Sequence, residues 1–289
     1  MSLESILTNL LSGLLLGGIL GLIALGLSVT LGVMRLVNLA HGEFLVAGAY
    51  AAFFLGAATG LDPLLALPIV AALVAFAAWP VQRFLLAPVA HQGAEAPMMT
   101  TFALSLVMQN LFLAEFSADT RSIGEHYSTY PLSLFGVSVP LIYLVGFVIS
   151  AALVLTVYVV IHRSAFGRDL RASAIDPVAA ASVGVDVSRV HAMTFALGAA
   201  CAAVGGVLIG IAFSFTPTTG ATYLLTSFAV VVLGGMGNIL GTLIAGMVLG
   251  EMQSVGALIF GDGSRDLVGL VLFLGALALR PAGIFGRRV

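Results

Sequence analysis

The 289-residue chain is 60% hydrophobic and 8% charged, with a formal net charge of −2. Soluble domains carry about 25% charged residues, so the composition excludes a surface wetted on all sides and gives no sign of a nucleic-acid partner. All the basic residues are Arg; without Lys, a Walker A loop and a Schiff-base lysine are both excluded.

In chain order, apolar runs fall near 10–34, 43–59, 62–86, 97–116, 139–161, 192–215, 223–234, 239–260 and 266–284. Runs near or above about 18 residues are membrane-helix candidates. The pattern predicts an all-α polytopic membrane protein, a single transmembrane domain over 1–289 with eight or nine helices, some broken. The run 223–234 is too short to cross a ~30 Å hydrocarbon core as one regular helix. It reads as a half-helix or as part of the next span. No Lys or Arg precedes Arg35, so the start reads as a span and not as a cleavable signal peptide.

Gly13, Gly17 and Gly21 share one helical stripe, and Gly237 with Gly241 and Gly246 with Gly250 repeat the spacing. Small residues at this spacing let helices approach closely in lipid. Thr101 and Ser105 are expected to do the same for the fourth span. Cys201 is the lone cysteine, so no internal disulfide is possible; it reads as a small core residue.

The first break, "MRLVNLAHGEF" at 34–44, gathers Arg35, Asn38, His41 and Glu43. Charge within a membrane is expensive and marks a pathway or a buried pair. A plainer reading is a turn between two spans, with Arg35 reaching the interface and Glu43 capping a helix start. A third is an internal Arg35–Glu43 or His41–Glu43 contact. "LGVMRLVNLAHG" at 31–42 and "LGGMGNILGTL" at 233–243 each place Leu-Gly, a Met and an Asn between apolar spans. Gly-interrupted segments in two halves of a transporter point to its translocation site. Asn38, His41, Glu43, Gly234, Gly235, Asn238 and Glu251 are therefore the candidate path residues, with Glu115, Gln109 and Asn110 as further polar groups in the spans. The five histidines are scattered, with no metal-ligand spacing, and no catalytic motif occurs.

Arg163, Arg168, Arg171 and Arg189 share one loop, Arg83 flanks another, and Arg287 and Arg288 close the chain. Arg121 and Arg265 sit instead beside acidic residues (Asp119 and Glu125; Asp262 and Asp266). The positive-inside rule puts the four-arginine loop and the C-terminus in the cytoplasm and, counting back, the N-terminus outside. Trp79 lies four residues from Arg83, as an interfacial anchor does. Inside the loop, Asp176 is a good N-cap, Pro177 suits the first helical position and Gly184 suits a left-handed stop. A short helix over 178–183 with an Ala-rich face follows. Small side chains suit docking in a protein groove better than resting on lipid.

"FGRDLRASAIDPVAAASVGVDV" resembles the cytoplasmic coupling segment of permeases from ABC importers of the branched-chain amino acid type. "VNLAHGEF", "VVLGGMGNILGTLIAGMVLG" and "RPAGIFG" resemble the same family, in order, over essentially the whole chain. The likeness is nearest to the first of the two permeases of such a system. It implies a second homologous permease in a heterodimer, two cytoplasmic ATPases carrying ATP and Mg, and a periplasmic substrate-binding protein. It also implies the inner membrane, multi-pass, as the location. Carried over by position, the ATPase-coupling residues are Phe166, Gly167, Arg168, Arg171, Ala172, Asp176, Ala179, Ala180 and Gly184. The implied function is half of the translocation path for a small polar solute, by default an aliphatic amino acid, with amides, urea and small organic acids as other cargoes of related systems. The alternative from a different class is an ion-gradient-driven transporter or channel, in which Glu43, Glu115 and Glu251 relay protons.

Overall fold

The computed structural model describes residues 3–93, 95–124, 130–134 and 137–279. Glu125, His126 and the segment 280–289, with Arg287, Arg288 and the RPAGIFG motif, lie outside the described residues. The described helices are α1 (Leu3–Met34), α2 (His41–Thr59), α3 (Pro63–Pro80), α4 (Glu95–Phe116), α5 (Leu141–Arg163), α6 (Ala165–Ile175), α7 (Pro177–Ser182), α8 (Val187–Ala212), α9 (Thr219–Gly234), α10 (Ile239–Phe260) and α11 (Arg265–Leu279). One antiparallel hairpin, β1 (Pro131–Leu134) with β2 (Val137–Pro140), joins α4 to α5.

Among the described residues, each apolar run of the sequence forms its own helix. Seven are long and apolar enough to cross a membrane: α1, α2, α3 with its π-helical extension Val81–Leu86, α4, α5, α8 and α10. α9 has 16 residues, so it reaches only about 24 Å at 1.5 Å per residue. It does not fuse with α10. Gly235 and Gly237 take φ of 81° and 77°, a region that a Cβ closes to most residues, and the helix restarts at Ile239.

α1 and α8 form the centre and are buried along most of their length, whereas α3, α4 and α5 turn Leu73, Phe76, Val107, Leu111 and Leu155 outward. Water would penalise such a surface; lipid tails do not. α10 runs antiparallel to α1, small residue against small residue. Ser254 Oγ donates to the Asn9 carbonyl (2.6 Å), and Thr242 Oγ1 donates to Ser28 Oγ (3.0 Å). Between them, a Cβ added at Gly13 or Gly17 would fall 2.8 or 2.5 Å from the Gly250 or Gly246 carbonyl oxygen. The Gly13–Gly17–Gly21 and Gly246–Gly250 stripes of the sequence are the two sides of one seam, whereas Gly241 meets Gly234. α8 packs antiparallel on another side of α1, where Gly26 meets Gly198.

These directions define two ends of the bundle. At the hairpin end, Ser138 N–H donates to Thr8 Oγ1 near the start of α1 (3.4 Å). There Arg121 exchanges backbone hydrogen bonds with Phe215 (2.9 and 2.7 Å), and its guanidinium lies over the rings of Phe53 and Phe54 (5.1 and 5.5 Å). The other end carries α6 beside the last turns of α1 and α5, with α7 packed on α6 and α8.

Candidate functional site

The first break is not a surface turn. Arg35 is exposed with φ of 51°, which reverses the chain at the end of α1. Residues 36–40 then run back into the protein. His41 Nε2–H donates to the Ile23 carbonyl at 2.9 Å. Ile23 lies 11 residues before the last residue of α1, or about 16 Å back along it. α2 therefore begins beside the middle of α1, and Asn38, His41 and Glu43 are 3%, 1% and 3% exposed. The turn reading is corrected on this ground.

Several backbone groups of the break find partners. Ala40 N–H donates to Asn38 Oδ1 (3.1 Å), His41 N–H to the Asn38 carbonyl (3.3 Å) and Leu39 N–H to Thr101 Oγ1 (3.2 Å). Thr101 Oγ1 also lies 3.2 Å from the Val37 carbonyl. One turn along α4, Ser105 Oγ donates to Glu43 Oε1 at 3.3 Å, while Glu43 Oε2 is buried with no partner among the described residues. Thr101 and Ser105 thus do more than pack α4: they bond the break and one oxygen of its carboxylate. The expected Arg35–Glu43 or His41–Glu43 contact gives way to these partners.

A second interrupted approach meets the first. After α8, Thr216 N–H donates to Thr219 Oγ1 (2.9 Å), and the hydroxyls of Thr216, Thr218 and Thr219 cluster within 3.1 Å. α9 starts there, and its first turn abuts the first turn of α2. A Cβ at Gly42 would overlap the Gly220 carbonyl, and one at Gly220 would sit 3.0 Å from Glu43 Oε1. The positive ends of two helix dipoles thus converge where a carboxylate is buried. The sequence reading missed this meeting; the Thr-Pro-Thr-Thr-Gly stretch at 216–220 was its signal.

The break between α9 and α10 lies elsewhere. Asn238 Oδ1 accepts from Gly241 N–H (3.0 Å), capping α10, and Gly237 N–H donates to Ser28 Oγ (3.2 Å). Ser28 is two residues, or about 200°, around α1 from Gly26, which faces His41. The helix α1 therefore stands between Gly234, Gly235 and Asn238 on one side and Asn38, His41 and Glu43 on the other. Glu251 is 13 residues along α10 from Asn238, about 20 Å away, beside Gly13 near the hairpin end. Glu115 is exposed ten residues past Ser105, about 15 Å along α4. Glu43, Glu115 and Glu251 do not form a relay.

The segment from Arg163 to Gly184 has the capped form expected. Asp176 Oδ1 accepts from Val178 N–H and Ala179 N–H (2.9 and 3.0 Å), Pro177 opens α7, and Gly184 takes φ of 92° after its end. α6 is tied to α5 at an elbow. Ser164 Oγ accepts from Gly167 N–H (3.0 Å), the Arg171 guanidinium donates to the Ile161 carbonyl, and a Cβ at Gly167 would overlap that carbonyl. Arg168 points to the surface, while Phe166 and Ala172 are half-buried. Ala179 and Ala181 face outward, as the Ala-rich reading expects, while Ala180 is buried; Ile175, Val178 and Val183, each at least 80% exposed, add an aliphatic surface beside them. A cleft of about 470 Å³ separates this elbow from the α9–α10 break, with Tyr158, His162 and Arg171 on one wall and Met236 to Ile239 on the other.

The family of branched-chain amino acid transport system permease components matches residues 9–277. The chain belongs to this family. The permease BraD of the high-affinity branched-chain amino acid transport system of Pseudomonas aeruginosa is 31% identical to this permease, over 97% of this chain and 96% of its own length. LivH of Escherichia coli K12, from the corresponding system, is 32% identical over the same shares. Among solved structures, PsaBC from Streptococcus pneumoniae in complex with Fab covers 94% of the permease and 91% of its own chain with a TM-score of 0.50 at 15% identity, a likeness of fold.

Proposed function

We propose that this permease is one of two homologous permeases in an ATP-driven importer for aliphatic amino acids. Two ATPase subunits carry ATP and Mg, and a periplasmic binding protein delivers the solute. The single observation that carries the reading is the α6–α7 elbow, a rigidly tied and doubly capped projection with an exposed aliphatic face of Ile175, Val178 and Val183. Such a projection suits a groove in a partner, in the helix-in-groove mode. A self-sufficient transporter has no use for it, and neither the family nor its named relatives support the ion-driven alternative.

In this reading the α6 end is cytoplasmic, in line with the positive-inside rule. It carries Arg35, Arg83, Arg163, Arg168, Arg171 and Arg189, against Arg121 and Arg265 at the other. The N-terminus is then periplasmic, and the membrane is the bacterial inner membrane. Asn38, His41 and Glu43, with the first turn of α9, form the gate of the path. Gly234, Gly235 and Asn238 form a hinge that receives the motion of the elbow across the 470 Å³ cleft. ATP-driven closure of the ATPases pushes on Phe166 to Gly184, and the helices rock between outward-open and inward-open states.

The test is purification of the tagged permease from its native membrane. Two ATPase subunits and a second permease should accompany it. A lone chain that transports after reconstitution would overturn the reading.

A further inference from the structure

A cleft of about 400 Å³ opens between α9, α10 and α11, within the roughly 300–1,000 Å³ range of small-molecule sites. Gln253 places it at the hairpin end, one residue from Ser254, whose hydroxyl reaches Asn9 near the start of α1. By the orientation proposed above, this is the periplasmic side. Its walls are Leu225 on α9 and Leu270 and Phe273 on α11. Four polar groups interrupt them: Thr222 and Thr226 on α9, Gln253 on α10 and Asp266 in the first turn of α11, with the Thr226 hydroxyl already donating to the Thr222 carbonyl (3.0 Å). The candidate path residues read from the sequence include none of these.

We propose that this cleft is an outward-facing subsite for a zwitterionic α-amino acid with an aliphatic side chain, a reading that rests on the importer function above. The Asp266 carboxylate takes the ammonium group. The Thr222 hydroxyl and the Gln253 amide donate to the carboxylate. Leu225, Leu270 and Phe273 enclose the side chain. A lipid acyl chain would match the apolar walls alone and use none of the polar groups. α9 gives the subsite a connection to the gate. Thr222 and Gly220 are two residues apart, so they lie on opposite sides of this short helix. One faces the cleft and the other meets Gly42 and Glu43. A tilt of α9 that closes the cleft also moves Gly220 against the gate.

The experiment uses the complete importer, with both permeases, both ATPases and the binding protein, in proteoliposomes. Uptake of radiolabelled L-leucine is read per ATP hydrolysed. Leu225→Trp fills the cleft from a side chain that is 61% exposed, and Asp266→Asn removes the charge. Each should cut uptake per ATP at least tenfold while binding-protein-stimulated ATPase stays within twofold, and Asp266→Glu should restore at least a third of the uptake. Uptake per ATP within twofold of the parent in both variants would overturn the assignment. So would ATPase that falls in step with uptake, which places the residues in coupling. Loss of the second permease from the L225W complex would identify the cleft as a subunit contact and overturn it as well. If the unaltered complex holds ATPases and transports, any of these results sinks the subsite alone. An unaltered complex that takes up no amino acid sinks the importer reading and the subsite with it.

Discussion

His41 Nε2–H reaches the Ile23 carbonyl at 2.9 Å, holding the first residue of α2 beside the middle of α1. A carbonyl can only accept, so the ring must carry its proton on Nε2. His41→Leu removes the donor and leaves the break without its anchor. We expect a loss of about 1–3 kcal/mol, read as a lower unfolding midpoint of the detergent-purified permease. His41→Gln should recover part of it. An unchanged midpoint in H41L would show that the bond contributes nothing.

The contact between Gly42 and Gly220 leaves no room for a side chain. Gly42→Val should destabilise by about 1–3 kcal/mol through overpacking and abolish gating, measured as uptake by the reconstituted importer. Gly56, on the same helix, has its nearest neighbour 3.5 Å from an added Cβ. Gly56→Ala should therefore be neutral in both measurements. Equal effects at the two positions would separate the seam from function.

Glu43 has one oxygen bonded to Ser105 and one buried without a partner among the described residues. Glu43→Gln keeps the shape and removes the charge. If Glu43 faces the solute as the gate opens, L-leucine uptake should fall at least fivefold with the yield of assembled complex unchanged. Ser105→Ala removes one hydrogen bond, worth about 0.5–1.5 kcal/mol, and should lower uptake less. Parent-like uptake in E43Q would reduce Glu43 to a structural charge at two helix starts.

Asp176 accepts from two N–H groups at the start of α7. Asp176→Ala should loosen this helix by about 0.5–2 kcal/mol and weaken the coupling of ATP hydrolysis to uptake while membrane insertion is retained. Val178→Asp puts a charge on the exposed aliphatic face and should strip the ATPases from the purified complex. Full ATPase retention in V178D would place the docking surface elsewhere.

Much of the fold was legible because the bilayer demands long apolar runs, and each such run became a helix. The capping of α7 was legible too, since Asp176, Pro177 and Gly184 act through local backbone geometry. The site was legible only in part. Polar residues at 38, 41 and 43 pointed to the first break, yet its depth depends on a bond to Ile23, 18 positions away. The pairing of Gly42 with Gly220 spans most of the chain and leaves no local trace beyond a Thr-rich stretch. Similar motifs at 31–42 and 233–243 suggested one shared place. The structure sets them on opposite sides of α1, because the helical phase of Gly26 and Ser28 governs which neighbour each meets. The exposed side of α7 was legible in part: Ala179 and Ala181 do face outward, but which of three consecutive alanines is covered depends on how the helix lies on its own domain.

The seam between α1 and α10 has a bearing on how the protein is made. Gly13 and Gly17 lie near the beginning of the chain, and their partners Gly250 and Gly246 come more than 225 residues later. At roughly 5–20 residues per second, ribosomes deliver α10 on the order of ten seconds or more after α1 has left the tunnel. Throughout that interval α1 sits in the bilayer with a bare glycine groove, open to any helix with small residues in the right spacing. Biogenesis of this permease therefore depends on keeping its first helix unclaimed until nearly the last one arrives.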